Sequence, residues 1–458
     1  MCSIVGALLR DIASYQKVFA VNSILKHIWQ KSHERGRDGR GFVITTDHGE
    51  PLAYRDITRS DGTGSEVPSL STNLCRNASI IGNLRAEPTT EFVSEKRMSD
   101  QQPYTAGEWS IVHNGTIAND RKLRTRTLAT EIDSAAIAEQ LEGLPAAFDS
   151  FVKVVKGLKG SYAILATHSD HPGWMYVAAN YRPIWYIETE FGLFFASSRD
   201  YLPDIYAPRM VPPYTAIFFA GGAIAASESL LQSQPEGEKA LVVCSGGLDS
   251  VVSAAYAKHT LGMDLHLIHF LYGSRAEGPE VEAVQKVADY LGAELTLFNL
   301  PVYSKGDSPL LDPDSKVAGG EEGAEFAHEW VPARNLLLLS VATAFAEARG
   351  IDTIVLGNNL EEAGAYPDNE PEFIARFNDL LPFAVGDGKR MRVIMPVGNL
   401  MKHEIVALGA EIGAPMHLTW SCYRAGEVHC GTCGPCYMRR KAFQINNIPE
   451  VISYKEEQ

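Results

Sequence analysis

Three groups of residues in this 458-residue chain have the types and spacing that chemistry needs. The first is Cys2, directly after Met1. Once Met1 is removed, thiol and α-amine belong to one residue, and the amine can act as base for the thiol. The second is Ser245-Gly246-Gly247-Leu248-Asp249-Ser250, which follows the apolar run Leu241–Cys244. Glycines permit close backbone approach, and N–H groups at a helix start form a nest for an anion such as pyrophosphate. No Gly-Lys-Ser/Thr follows, so this is not a Walker loop. The third is Cys422-x7-Cys430-x2-Cys433-x2-Cys436. Four thiolates so spaced can close a tetrahedral zinc site with no open position, which makes the expected Zn2+ structural. His429 adjoins Cys430, but four cysteines already fill the shell. Arg439, Arg440 and Lys441 follow, and read either as an offset to the negative tetrathiolate centre or as a solvated basic turn. Cys75 and Cys244 sit beside apolar residues and read as inert core thiols.

The elements that must hold these groups differ between the two halves. Before residue 227, β-like runs recur at Ser161–Ala166, Trp174–Ala179, Trp185–Glu188, Leu193–Ala196 and Ala216–Phe219. The polar stretch Ser227–Lys239 reads as a linker. After it, strands Lys239–Cys244, Leu265–Phe270 and Thr353–Gly357 alternate with helices Ser250–Leu261, Glu280–Leu291 and Leu336–Arg349. Such alternation marks a parallel sheet with crossover helices. The expected division is a domain over 1–225, a linker over 226–238 and a domain over 239–458, consistent with a length that allows two or three domains.

Composition excludes other classes. Apolar residues make up 45% and charged residues 21%, ordinary for a protein that buries a large core. The formal charge of −15 is uneven: residues 1–240 carry −3 and residues 241–458 carry −12. That balance disfavours direct binding of a polynucleotide by the second half. No run approaches the length of a membrane span and no secretion signal opens the chain, so a cytoplasmic enzyme is expected.

The company of Cys2 gives the first resemblance. Arg35-Gly36-Arg37-Asp38-Gly39-Arg40-Gly41, Gly82-Asn83-Leu84-Arg85-Ala86, Ile111-Val112-His113-Asn114-Gly115 and Thr130-Glu131-Ile132-Asp133-Ser134 follow in order. Together the first ~220 residues resemble a class II glutamine amidotransferase domain, with the αββα sandwich of N-terminal-nucleophile (Ntn) hydrolases. The resemblance implies that Cys2 attacks the side-chain amide of glutamine. It implies that Asn114 and Gly115 form the oxyanion hole, that Arg85 holds the α-carboxylate, and that Asp133 holds the α-ammonium.

The second half resembles another family. The Ser-Gly-Gly-x-Asp-Ser loop is similar to that of ATP pyrophosphatases, which activate a carboxylate or carbonyl as an adenylate. With Glu329-Trp330-Val331-Pro332-Ala333-Arg334-Asn335, Ala365-Tyr366-Pro367-Asp368, Lys402-His403-Glu404-Ile405 and the four cysteines, residues 238–446 resemble the 7-cyano-7-deazaguanine synthases. The fold this implies is a doubly wound parallel sheet of the PP-loop, adenine-nucleotide α-hydrolase type, with a zinc-binding tail. The resemblance implies that Ser245, Gly246, Gly247, Asp249 and Ser250 hold ATP phosphates, with Mg2+, and that Arg334 and Asn335 lie near the nucleotide. Lys402 would meet developing charge, and Tyr366, Asp368, Glu372 and Phe373 would shape a deazaguanine pocket. The chain departs from the family pattern at Leu271-Tyr272-Gly273-Ser274-Arg275-Ala276, at Asn369-Glu370 and in the acidic stretch Gly319–Glu325.

The two resemblances together imply a glutamine- and ATP-dependent amidation of a 7-deazaguanine, with ammonia passed inside the protein from one half to the other. The expected product is the amide or nitrile of 7-carboxy-7-deazaguanine. The alternatives are an archaeosine-type amidine in tRNA or phage DNA, or coupling of the base to a protein amine, as in defence gene clusters. An oligomer is expected.

Overall fold

Ser3–Ile12 is a ten-residue strand, β1, with seven buried residues in succession. Continuous burial is what a strand covered on both faces requires. The further strands of the first half are β2 (Gly39–Thr46), β3 (Leu52–Asp56), β4 (Cys75–Arg85), β5 (Tyr104–Ala106), β6 (Trp109–Ile117), β7 (Gly160–His168), β8 (Trp174–Ala179), β9 (Trp185–Thr189), β10 (Gly192–Ala196), β11 (Arg209–Met210), β12 (Thr215–Ala220) and β13 (Ala223–Ser229). They form two sheets, ordered β11-β9-β10-β1-β4-β2-β3 and β13-β12-β8-β7-β6-β5. Every pairing between these strands is antiparallel.

This computed structural model describes residues 2–60, 66–70, 75–86, 96–125, 130–231, 239–320, 329–363, 366–424 and 426–455. Two units divide the chain: Met1–Gln232 with Gly386–Gly388, and Ser233–Val385 with Lys389–Gln458.

In the first unit the inner faces of the two sheets share one core, in which Ile4, Leu8 and Ile81 meet Val112, Leu165 and Val177. On the outer face of the first sheet lies α1 (Tyr15–Ser32), whose buried Val18, Val21, Leu25, Ile28 and Trp29 follow helical spacing. Its start is capped by Ser14, whose hydroxyl accepts the Lys17 N–H at 3.3 Å. The short helix α2 (Asp120–Leu123) precedes α3 (Ala135–Leu141) and α4 (Phe148–Lys156), and the last two cover the second sheet. The layers are therefore helix, sheet, sheet, helix.

The expected linker needs correction. Residues 226–229 belong to β13, paired with β12 by Ala226–Phe218 and Ser229–Thr215. An edge strand keeps one side in water, so its Ser-Glu-Ser sequence looks like a loop. Residues 232–238 of the linker lie outside the described residues.

The second unit is a five-stranded parallel sheet: β14 (Lys239–Val243), β15 (Asp264–Leu271), β16 (Glu294–Asn299), β17 (Thr353–Val355) and β18 (Arg392–Ile394), in the order β16-β15-β14-β17-β18. One face packs on α5 (Leu248–His259) and α6 (Glu277–Leu291). The other packs on α7 (Arg334–Ala348) and α9 (Pro371–Ala384). The short α8 (Leu360–Ala363), α10 (Lys402–Glu411) and α11 (Gly434–Ile445) complete it. Among the described residues no helix is long and apolar enough to cross a membrane.

Candidate active sites

In the first unit, Cys2 lies just before β1, and Ser3 pairs with Leu84 next to Arg85, the last residue of β4. The Cys2 Sγ is 3.7 Å from the Ala86 carbonyl oxygen. Burial pushes its thiol up, against the opposing influence of the Ala86 backbone, the Arg85 guanidinium and Asn83. Asn83 is fully buried and joins the two sheets, donating to Ser3 O at 3.4 Å and His113 O at 3.5 Å. Asn114 and Gly115 follow His113 on β6. Gly115 has φ +153°, and a Cβ there would fall 2.0 Å from Ser161 O, so only glycine fits. Asp133, just before α3, accepts the Ile117 N–H at 2.5 Å and the Ser134 N–H at 2.7 Å. Arg85 donates to the Asp100 carbonyl and borders a crevice with Asp38, Lys96, Arg97 and Gln101. Gln102 was not legible as a site residue: its amide clamps His113, accepting from N at 2.6 Å and donating to O at 3.0 Å.

In the second unit a cavity of about 230 Å³ opens at the carboxyl ends of β14, β15 and β17. That is the crevice where strand order reverses, the usual ligand position of such sheets. Its floor is the loop from Cys244 to Gly247, after which α5 begins with Leu248. Gly246 has φ +79°. The Ser245 hydroxyl accepts the Gly247 N–H at 3.2 Å, and Ser250 donates to Gly247 O at 3.1 Å. Asp249 accepts from Lys402 Nζ at 2.5 Å and from Asn359 Nδ2 at 3.2 Å. Arg334 Nη1 donates to the Tyr272 hydroxyl at 3.3 Å. The wall residue Glu280, on α6, has its carboxyl pushed up by burial to about 7, with Arg334 and Ser274 opposing.

Gly357 closes β17 against the start of α5. A Cβ there would lie 2.5 Å from Ser250 N and 2.6 Å from its Cα. Gly357→Ala is expected to destabilise the unit by about 1–3 kcal/mol and to weaken nucleotide binding by displacing Ser250, as thermal melts and ATP titration would record.

The deazaguanine candidates separate. Tyr366 lines the cavity and stacks on Trp330, with centroids 6.0 Å apart and planes at 15°. Asp368 is buried and turned to the backbone, accepting the Asn335 N–H at 2.9 Å, while Asn335 Nδ2 donates to its carbonyl at 3.2 Å. Glu372 does not reach the cavity: it is exposed on the first turn of α9, 2.7 Å from Arg376. The i, i+4 spacing supplies that cation locally. Phe373 is half-buried in the core beside Phe377. Cavity residues not foreseen as ligand contacts are His269, Glu280, Asn358 and Glu361. Their positions after β17 or along β15 and α6 were the available signal. Of the acidic stretch, Glu321, Glu322, Gly323, Ala324 and Glu325 lie outside the described residues, as does Ala365.

The ligand atoms of Cys422, Cys430, Cys433 and Cys436 lie within 4.8 Å of one another. Backbone N–H groups of Arg424 and Cys430 point at Cys422 Sγ (3.3 and 3.4 Å), and those of Thr432 and Cys433 at Cys430 Sγ (3.4 and 3.3 Å). Donors so placed suit thiolates, and the donor set fits a closed metal site. His429 is turned away, its Nε2 accepting the Ser421 N–H at 3.0 Å, and burial pushes it down to about 4. The basic residues need correction. Arg439 is 1% exposed, held 2.5 Å from Glu450 and donating to Met416 O at 2.9 Å. Arg440 and Lys441 lie over the rings of Tyr454 and Tyr437. None of these contacts places charge on the sulfurs.

Comparison with known proteins follows this division. Residues 90–204 match a glutamine amidotransferase domain, and residues 239–447 match the family described as queuosine biosynthesis protein QueC. Over 477 aligned positions covering 100% of each, the chain is 41% identical to the 7-cyano-7-deazaguanine synthase of Saccharolobus solfataricus. It is 41% identical to 7-cyano-7-deazaguanine synthase 2 of Sulfurisphaera tokodaii, with 99% of this chain and 100% of that one covered. A relative of the same name from Methanothrix thermoacetophila is 43% identical, matching 47% of this chain and 99% of its own. With likeness running the full length of both units, the chain belongs to the 7-cyano-7-deazaguanine synthase family.

Proposed function

We propose that this carbon–nitrogen ligase takes ammonia from glutamine in its first unit and uses it in the second to convert 7-carboxy-7-deazaguanine to the amide and then the nitrile. The reading rests on one observation: full-length identity of 41% to a named synthase in a chain that carries both the amidotransferase cysteine and the pyrophosphate-type loop.

In the first unit, Cys2 Sγ attacks the side-chain carbonyl carbon of glutamine, and the α-amine freed by Met1 removal takes the thiol proton. The Asn114 side chain and the Gly115 N–H stabilise the oxyanion, and ammonia departs. Water then releases glutamate from the thioester. Arg85 and Asp133 hold the α-carboxylate and α-ammonium.

In the second unit, the substrate carboxylate attacks the α-phosphorus of ATP and pyrophosphate leaves. Ser245, Gly246, Gly247 and Ser250 cradle the phosphates, with Asp249 and Arg334 and Asn335 beside the nucleotide and Mg2+ as counter-ion. Lys402 balances charge that builds at the phosphorus. Ammonia attacks the acyl adenylate and AMP leaves. A second adenylation, on the amide oxygen, then permits loss of AMP to the nitrile. Tyr366, backed by Trp330, offers an aromatic face to the base. The four cysteines hold Zn2+ in a structural role.

Glutamine labelled with a heavy isotope in its amide nitrogen, incubated with ATP and carboxy-deazaguanine, tests this. The label is expected in the nitrile, with AMP and pyrophosphate formed. Label in an amidine on tRNA, or the base joined to a protein amine without label, would overturn it.

A further inference from the structure

β5 runs beside only part of β6: Tyr104 lies opposite Ile111, Thr105 opposite Ser110 and Ala106 opposite Trp109. Carried two residues further, that register sets Gln102 opposite His113. Gln102 meets His113 with its side chain in place of its backbone. Oε1 accepts the His113 N–H at 2.6 Å, and Nε2 donates to His113 O at 3.0 Å. One amide thus makes both bonds that a neighbouring strand would have made.

Backbone N–H groups alternate sides along a strand. On the side toward β7, the Thr116 N–H donates to Ser161 Oγ at 3.1 Å. On the other side His113 is held by Gln102, and the Ile117 N–H is taken by Asp133 at 2.5 Å. Gly115 lies midway between these two and shares their side. Side chains therefore pin β6 both before and after the Asn114–Gly115 peptide.

Gln102 is itself braced. Asn83, Gln101 and Gln102 are all buried. Gln101 Nε2 donates to Gln102 O at 3.0 Å and to Asn83 Oδ1 at 3.3 Å. Asn83 Nδ2 in turn donates to Ser3 O at 3.4 Å. This run of amides ties the residue after Cys2 to the residue before Asn114. Two glycines of the Arg35–Gly41 segment make room for it. A Cβ on Gly41 would fall 2.2 Å from Gln102 O, and one on Gly39 would fall 2.4 Å from Gln101 Oε1.

Oxyanion donors act only when held in place before charge develops, and a chain of neutral amides holds them without adding a charge of its own. We propose that Gln102 is a positioning residue for glutamine hydrolysis. It fixes the Asn114–Gly115 peptide relative to Cys2, so that the oxyanion donors are aligned before glutamine binds. The inference rests on the glutaminase reading given above.

Gln102→Met keeps the length of the side chain and removes both bonds. Gln102→Glu keeps the acceptor for the His113 N–H and, when ionised, loses the donor. Both are made in the full chain, and glutamate release from glutamine is measured. The expected result is a kcat lowered about tenfold or more, with KM for glutamine changed by less than about twofold. Alkylation of Cys2 by iodoacetamide builds no oxyanion, because the thiolate displaces iodide from carbon. Its rate, read by mass spectrometry of the N-terminal peptide, is expected to match that of the unsubstituted protein. Unchanged kcat in both variants overturns the inference. Alkylation slowed in step with kcat in both overturns it too, since Gln102 then serves folding or the thiol. A raised KM at unchanged kcat places Gln102 in substrate binding and is equally fatal. Unsubstituted protein that lacks Met1 and still releases no glutamate sinks the glutaminase reading instead, before any variant is made.

Discussion

Cys2→Ala is expected to abolish turnover on glutamine and to leave turnover on ammonium chloride intact. Loss of a covalent nucleophile typically costs about three orders of magnitude or more in rate, because no neighbouring group replaces the bond it forms. Here the thiol lies beside Arg85, Asn83 and the Ala86 carbonyl. Ammonia supplied from solution bypasses that chemistry and enters the reaction at the adenylate. Burial raises the thiol's pKa, so Cys2 depends on a base to lose its proton, and a retained Met1 withholds the α-amine. Protein with Met1 retained should therefore behave as Cys2→Ala does. Glutamate release and nitrile formation, measured with each nitrogen source and matched to the N-terminal mass, check both statements. Loss of the ammonium-driven reaction in Cys2→Ala would mean that the cysteine serves something other than ammonia supply.

The second large effect is expected from metal loss. Cys433 caps the start of α11 and Cys436 sits in its first turn, so the cysteine cluster fastens that helix to the loop bearing Cys422 and Cys430. The same loop reaches the segment Ser245–Ser250, because Trp420 N–H donates to Gly246 O at 2.9 Å. Structural zinc contributes apparent free energies of about 10–16 kcal/mol in isolated fingers, and part of that is folding free energy. Cys436→Ser, or treatment with a strong chelator, should lower the melting temperature of this unit by about 10 °C or more and abolish carboxylate-dependent ATP–pyrophosphate exchange. Glutamine hydrolysis should persist, since none of the four cysteines belongs to the first unit. Scanning calorimetry with a colorimetric zinc assay reads all three. A stripped protein that melts and exchanges as before would show that the cluster has no structural role.

What could be read from the chain alone was local. Ser245 to Ser250 announced itself because a positive-φ glycine and a helix start are sequence-adjacent needs, and the cysteine spacing because all four ligands lie on one short loop and helix. The parallel sheet followed from runs such as Leu241–Cys244 and Leu265–Phe270. Tertiary choices were not readable. Asp368 and Glu372 are both carboxylates near Tyr366, yet one is buried under the Asn335 backbone and the other is exposed beside Arg376. Arg439 looked like a surface charge until Glu450, Thr419 and Met416 closed around it. The end of the first unit was obscured because β13 is polar on its outward side. His269 was silent for the opposite reason, as one polar residue within an apolar strand whose surroundings only the fold supplies.

The strand that leads from Cys2 and the strand that leads into Ser245–Ser250 share a position in their sheets. β1 is hydrogen-bonded on both sides, to β10 and β4, and β14 to β15 and β17. A strand held by two ladders opens only when neighbouring strands open with it, so its ends have little freedom to wander. The residues proposed as nucleophile and phosphate cradle thus each adjoin a strand paired on both sides. The groups around the base are fastened differently, on the short segments between β17 and α9. Under the proposed function, accommodating a different heterocycle is then a matter of rebuilding a connection, while the strands next to Cys2 and to Ser245 keep their pairing.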